Sequence, residues 1–228
     1  MSAAAQVGMP APPSVWHMYR AMVGVGLLCG LIIVSVFELT RPVIERNKAE
    51  ALQRAIFQVL PEARSSATFR FTAQERFERL AGQADGSALV YAGYDGEGRL
   101  AGIAVEAQGM GYQDVIRVLY GYAFAEDAIV GIRVLESRET PGLGDKIETD
   151  PDFLANFERL AVALTGDLSA IANPIEFAKK GQKQHPWQID GITGATISSK
   201  AIADILNGST AYWIPRIRRN LDDFRVAD

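Results

Sequence analysis

Residues 21–37, AMVGVGLLCGLIIVSVF, form a run of 17 residues without a charge, bracketed by Arg20 and Glu38. As an α-helix rising about 1.5 Å per residue it reaches roughly 26 Å, the short end of what crosses a bilayer. Trp16 and Tyr19 ahead of it suit the membrane interface, and Arg20 can extend its charge toward water. A cleaved signal peptide has an apolar run only slightly shorter. Here, however, the run leads into Glu38-Leu39-Thr40-Arg41-Pro42, which offers no small-x-small cleavage site, and a polar helix-forming stretch (43–58) continues directly. The run therefore reads as an uncleaved, single-pass anchor. Arg41, Arg46 and Lys48 follow it while Arg20 alone stands close before it, which weakly favours a cytoplasmic main domain. Long translocated domains blunt that rule, so flanking charge alone leaves the side undecided.

The rest of the composition narrows the function classes. Lys and Arg number 23 against 27 Asp and Glu, a net charge of −4, so the basic excess of a nucleic-acid binder is missing and no such partner is expected. With 48% hydrophobic and 22% charged residues, most of the 228-residue chain is expected to fold. Cys29 is the single cysteine, which excludes an internal disulfide and any CxxC site, and it lies within the apolar run. His17 and His185 are too few for a histidine-built metal centre, and no metal site is expected.

Residues 1–17, rich in Ala, Pro and Ser, read as a flexible tail, residues 18–40 as the anchor and 41–63 as a linker helix. Ala49, Leu52, Ile56, Val59 and Leu60 recur at helical spacing until Pro61 stops them. Residues 88–94 and 100–107 flank Asp95-Gly96-Glu97-Gly98, a hairpin signal with the glycines its turn needs. Residues 115–123 and 128–137 are further strands joined by Glu126-Asp127. A helix is expected over 150–162, with Asp150 as cap and Pro151 in the first turn. A short strand (187–189) leads through a glycine turn into a helix over 198–206. Together, 64–214 reads as one α+β domain with an antiparallel sheet and flanking helices, followed by a C-terminal tail, 215–228.

The most informative string is Asp190-Gly191-Ile192-Thr193-Gly194-Ala195-Thr196-Ile197-Ser198-Ser199-Lys200. It describes a strand end, a glycine turn and a hydroxyl-rich helix start, where free backbone N–H groups can receive an anion. Composition alone also allows an ordinary helix capped by Thr196 or Ser198. It is neither a Walker loop nor a dinucleotide fingerprint.

Asp190-x-x-Thr193-Gly194-Ala195-Thr196 resembles the flavinylation motif of the FMN-binding domain family. Two other segments resemble the same family: Glu139-Thr140-Pro141-Gly142-Leu143-Gly144-Asp145-Lys146, and Gly109-Met110-Gly111-Tyr112. The order of anchor and motifs is similar to the G subunit of the Rnf ion-translocating oxidoreductase complex, over roughly residues 20–210. The C subunit of the sodium-pumping NADH:quinone oxidoreductase has the same layout, and the shorter chain favours the Rnf member. One departure is Ile197-Ser198-Ser199, where many relatives carry a further Thr beyond the attachment residue.

The resemblance implies FMN as cofactor, bound covalently through a phosphoester to Thr196, with Thr193, Gly194 and Ala195 shaping the acceptor turn. It implies an electron relay within a ferredoxin:NAD oxidoreductase complex, not catalytic alone. The partners would be the other membrane and peripheral subunits, and a flavin transferase for maturation. It also implies an inner-membrane anchor with the main domain in the periplasm. The rival from another class is a non-redox assembly or sensory anchor that keeps the domain without flavin. Chemically, Pro141 stiffens its loop, Gly142 and Gly144 admit close backbone approach, and Glu139 and Thr140 can reach ring heteroatoms beside Leu143. Asp190 either orients the loop, assists deprotonation during modification or merely caps a turn. Lys179, Lys180 and Lys183 either offset phosphate charge or form solvated surface. Trp187 either stacks near the flavin or sits in the core, and His185 reads as a loop residue.

Overall fold

The computed structural model describes residues 15–80 and 88–225; of the tail expected at 1–17, residues 1–14 lie outside them and 15–17 begin a helix, and the last three residues also lie outside. Two compact units divide the chain, Met1–Ala49 and Glu50–Asp228. Through the first runs most of helix α1, Val15–Val59, which contains Pro42 without breaking. In this unit its apolar positions point in all directions and stay exposed, for example Leu27, Leu31 and Ile33 at 70%, 65% and 68%. Helices apolar all round are normally buried in something, and this one is long and apolar enough to cross a membrane.

The second unit is an α+β domain. Its seven-stranded antiparallel sheet has the order β2-β1-β3-β4-β5-β6-β7. The strands are β1 Ser65–Phe71, β2 Phe77–Arg79, β3 Leu89–Tyr94, β4 Leu100–Met110, β5 Val115–Ala123, β6 Ala128–Glu136 and β7 Leu160–Ala161. The β3–β4 turn follows its sequence signal: Gly98 takes φ +78°, and the Asp95 carboxylate accepts the N–H groups of Glu97 and Arg99 at 2.9 Å each. The antiparallel sheet with helices on both faces agrees with the fold expected from the sequence.

The two faces carry separate cores. On one, Val90, Ala92, Ile103, Val105, Val118 and Tyr120 pack with helix α3, Thr196–Arg219, through Ile202, Leu206 and Ile214. On the other, the last turns of α1 bring Ala55, Ile56, Val59 and Leu60 onto Tyr91, Ala104 and Leu119. That second contact needs a trough. Gly93 pairs with Gly102 and Gly121 with Gly131 across neighbouring strands. A Cβ on Gly93 would sit 2.8 Å from Leu60 Cδ1, and one on Gly131 2.8 Å from Val59 Cα. The core thus recruits residues on both sides of the 64–214 span, since Phe224 is fully buried too.

Between sheet and site the chain departs from the sequence expectations. Asp150 does cap a helix, accepting the Phe153 N–H at 3.0 Å, but that helix, α2, covers only Pro151–Leu154. A 3₁₀ turn, Ala155–Phe157, follows, and Leu160 then leaves to pair with Ile129. Two short parallel strands, β8 Glu176–Ala178 and β9 Gln188–Asp190, deliver the chain to the start of α3.

Candidate functional site

Helix α3 begins at Thr196, two residues earlier than the hydroxyl pattern suggests. The residue at its cap is Ala195, which offers no side-chain acceptor, and neither Thr196 nor Ser198 caps it. Ser199 N–H opens the helical ladder on the Ala195 carbonyl at 2.9 Å. The amides ahead of it are left without a side-chain cap, at the positive end of a 24-residue helix. Gly194 makes the entry possible with φ +86° and open space around its Cα.

The three hydroxyls of this first turn have different fates. Thr196 is exposed. Ser198 is buried and donates to Glu139 Oε2 at 2.5 Å. Ser199, fully buried, donates to the Ala195 carbonyl at 2.8 Å and accepts the Ile192 N–H at 3.2 Å. Thr193 is exposed on the turn, and Ala195 packs into the core.

Thr196 opens onto a pocket of about 350 Å³. Its walls come from three segments: Tyr112; Thr140, Leu143 and Gly144; and residues 194–198. That volume lies within the range of roughly 300–1,000 Å³ typical of small-molecule sites. Tyr112, Leu143 and Ile197 are large and exposed, at 62%, 50% and 56%, and supply apolar surface around the hydroxyl. Gly142 turns its loop with φ +77°. Thr140 Oγ1 donates to Gln113 Oε1 at 3.0 Å, which ties that loop to the turn after β4. These residues fit FMN: an uncapped helix start and a free hydroxyl suit its phosphate, and the apolar walls suit a flat ring.

Other residues of the motifs stand apart from the pocket. Glu139 is 6% exposed and gives both carboxylate oxygens to protein partners, Gln113 N–H at 3.0 Å and Ser198 Oγ. Asp190 accepts the Gly181 N–H in both oxygens, at 2.8 and 2.9 Å, and its own backbone is bracketed by Asn156. It thereby braces the 179–183 loop behind the turn. Lys180 pairs with Asp152 at 3.0 Å, and that hydrogen bond holds its ammonium above the ordinary lysine range. Lys183 donates to Asn156 Oδ1 at 3.0 Å, and partial burial pulls it down. Neither these lysines nor Lys179 lines the Thr196 pocket. Trp187 lies flat on His185, ring centroids 4.5 Å apart, away from the same pocket. Sequence reasoning passed over Tyr112, Gln113, Ile197 and Ser198 as site residues. The Gly-Met-Gly-Tyr string was the signal for the first two.

The comparisons agree with this geometry. The model of the FMN-binding domain family matches residues 111–209, which take in all three walls of the pocket. The G subunit of the ion-translocating oxidoreductase complex of Methanosarcina acetivorans is 31% identical over 196 residues, spanning 84% of this chain and 90% of that protein. The protein of the same name from Shewanella piezotolerans is 28% identical over 206 residues, spanning 86% and 91%. Among solved structures, the fold is shared with Shewanella oneidensis NqrC at TM-score 0.55 and 16% identity, covering 78% of this chain and 96% of that one. The C subunit of the Na⁺-translocating NADH-quinone reductase of Parabacteroides distasonis is similar at TM-score 0.54 and 17% identity, covering 80% and 96%. With an anchor-length apolar helix, an FMN-binding domain and this similarity across most of its length, the chain belongs to the G-subunit family of the Rnf-type ion-translocating oxidoreductase complex.

Proposed function

We propose that this chain holds FMN through a phosphoester on Thr196 and relays electrons within an Rnf-type ion-translocating ferredoxin:NAD oxidoreductase complex. The observation that carries the reading is the contrast within one helical turn. Thr196 is the exposed hydroxyl of α3's first turn on a ring-sized pocket at an uncapped helix start, while Ser198, which also lines that pocket, and Ser199 are buried and already committed. Attachment would come from a flavin transferase acting on a flavin dinucleotide: a bond forms from Thr196 Oγ to phosphorus, the P–O–P linkage breaks, AMP leaves, and the hydroxyl proton passes to a base. When bound, FMN supplies one- and two-electron redox chemistry, while the chain keeps it from dissociating and tunes it by burial and hydrogen bonds. The uncapped amides of α3 would receive the phosphate charge, and Tyr112, Leu143 and Ile197 would supply apolar walls for the flavin, with Thr140, tied to Gln113, completing the lining. Gly142, Gly194 and Thr193 shape the two turns that let these walls meet, and Asp190 braces the loop behind them. Partners are the other subunits of the complex. On this reading the main domain stands outside the cytoplasm, where no free flavin pool replaces a lost cofactor. In-gel fluorescence of the denatured chain under ultraviolet light tests the reading: a covalent flavin stays with the band, and a dark band from protein purified out of its own membranes overturns it.

A further inference from the structure

Glu139 is a buried carboxylate with no ion-pair partner among the described residues, a costly arrangement unless hydrogen bonds satisfy it. Its satisfaction comes from two different segments: Gln113 N–H on the turn after β4, and the Ser198 hydroxyl on the third residue of α3. The positive end of α3 lies beside the same charge. The motif glycines make room for this carboxylate. A Cβ on Gly144 would stand 2.5 Å from Oε2 and 2.8 Å from Ser198 Oγ, and one on Gly111 would collide with Oε1. The three segments that wall the pocket therefore converge on one side chain that does not itself line it.

We infer that Glu139 is a positioning residue for the Thr196 acceptor, holding the first turn of α3 through Ser198 against the 111–113 turn and the 139–144 loop. This rests on Thr196 being the acceptor. The carboxylate fixes the residue two places beyond Thr196, and so sets where the hydroxyl and the first amides stand relative to Tyr112 and Leu143. It also keeps the neighbouring Ser198 hydroxyl engaged and inaccessible, which leaves Thr196 as the acceptor of that turn.

The test uses the full-length chain in detergent as E139Q, S198A and the double variant. E139Q keeps the volume of the side chain and removes its charge and one acceptor; S198A keeps the charge and removes the contact. Hydrogen exchange by mass spectrometry should accelerate at residues 196–200 in both, with the sheet amides unchanged. Transfer of FMN from flavin adenine dinucleotide by the transferase should fall in kcat by between about ten- and a hundredfold, at unchanged KM for the chain. The double variant should be no slower than the slower single, because both act through one contact. Unchanged exchange at 196–200 in E139Q, or full transfer rates in both single variants, overturns the role of Glu139 and leaves Thr196 standing. Wild-type chain that carries its flavin elsewhere than Thr196 overturns the acceptor reading, and the positioning role falls with it.

Discussion

Gly121, in the middle of the sheet, lies directly against the Val59 carbonyl at the end of α1, with no room for a side chain between them. Its cross-strand partner Gly131 also meets Val59, where a Cβ would stand 2.8 Å from Cα, and Gly93 and Gly102 extend the trough under Leu60. Backbone in this trough cannot shift to make room, because the strands are held by ladders on both sides. G121A should therefore lower unfolding stability by about 1–3 kcal/mol through overpacking. G96A, at a turn with open space around it, should leave it nearly unchanged. Chemical denaturation midpoints decide this; equal midpoints for the two variants would contradict the trough.

A second prediction concerns acid. Arg76 Nε donates to both oxygens of Asp223, at 3.0 and 2.9 Å, and Phe77 N–H donates to Oδ2 at 2.9 Å, which fastens the segment after α3 to β2. The Arg76 hydrogen bond, ahead of the backbone one, holds the Asp223 carboxyl below the usual carboxylate range. A depressed folded-state pKa gives stability that is fully present above the unfolded value of about 3.9 and is lost as pH falls through the folded one. D223N should melt below wild type at neutral pH, and the gap should shrink between about pH 4 and pH 2. A gap that stays constant across that range would assign Asp223 no ionic role.

The hairpins were legible because their signals are local. Alternating apolar residues and the Asp-Gly-Glu-Gly turn place β3 and β4 within a few residues, and β5 begins and ends where the sequence places it. What was not legible depends on distant partners. The hydroxyl pattern puts the start of α3 at Ser198, but that side chain is taken by Glu139, 59 residues away, so the helix starts on Ala195 and Thr196 instead. The helix expected over 198–206 runs on to Arg219, into the expected C-terminal tail, because Ile214, Pro215 and Ile217 are buried. The helix expected over 150–162 ends at Leu154 because Leu160 is needed by Ile129. At the candidate site, residue types alone left an ordinary capped helix open, and the family resemblance pointed to Thr196 and its turn. That Glu139 faces Ser198, and Tyr112 the pocket, required the fold.

The anchor yields a third prediction. Arg41, Arg46 and Lys48 pull toward the cytoplasm at about 1 kcal/mol per charge near an anionic surface, too little to hold back a large domain. Fusions after Asp228 should give active alkaline phosphatase and dark green fluorescent protein, and the chain should stay with membranes through an alkaline wash. The reverse reporter pattern would place flavin attachment inside the cell and remove the proposed electron route.

The most direct measurement of the central claim is peptide-mapped intact mass of the full-length chain and T196A, each purified from cells that make the transferase. Wild type should carry one FMN phosphoester, on the peptide containing Thr196, and T196A should carry none while melting close to wild type. An adduct retained in T196A, or mapped in wild type to Thr193, Ser198 or Ser199, would contradict the assignment of the pocket at the start of α3.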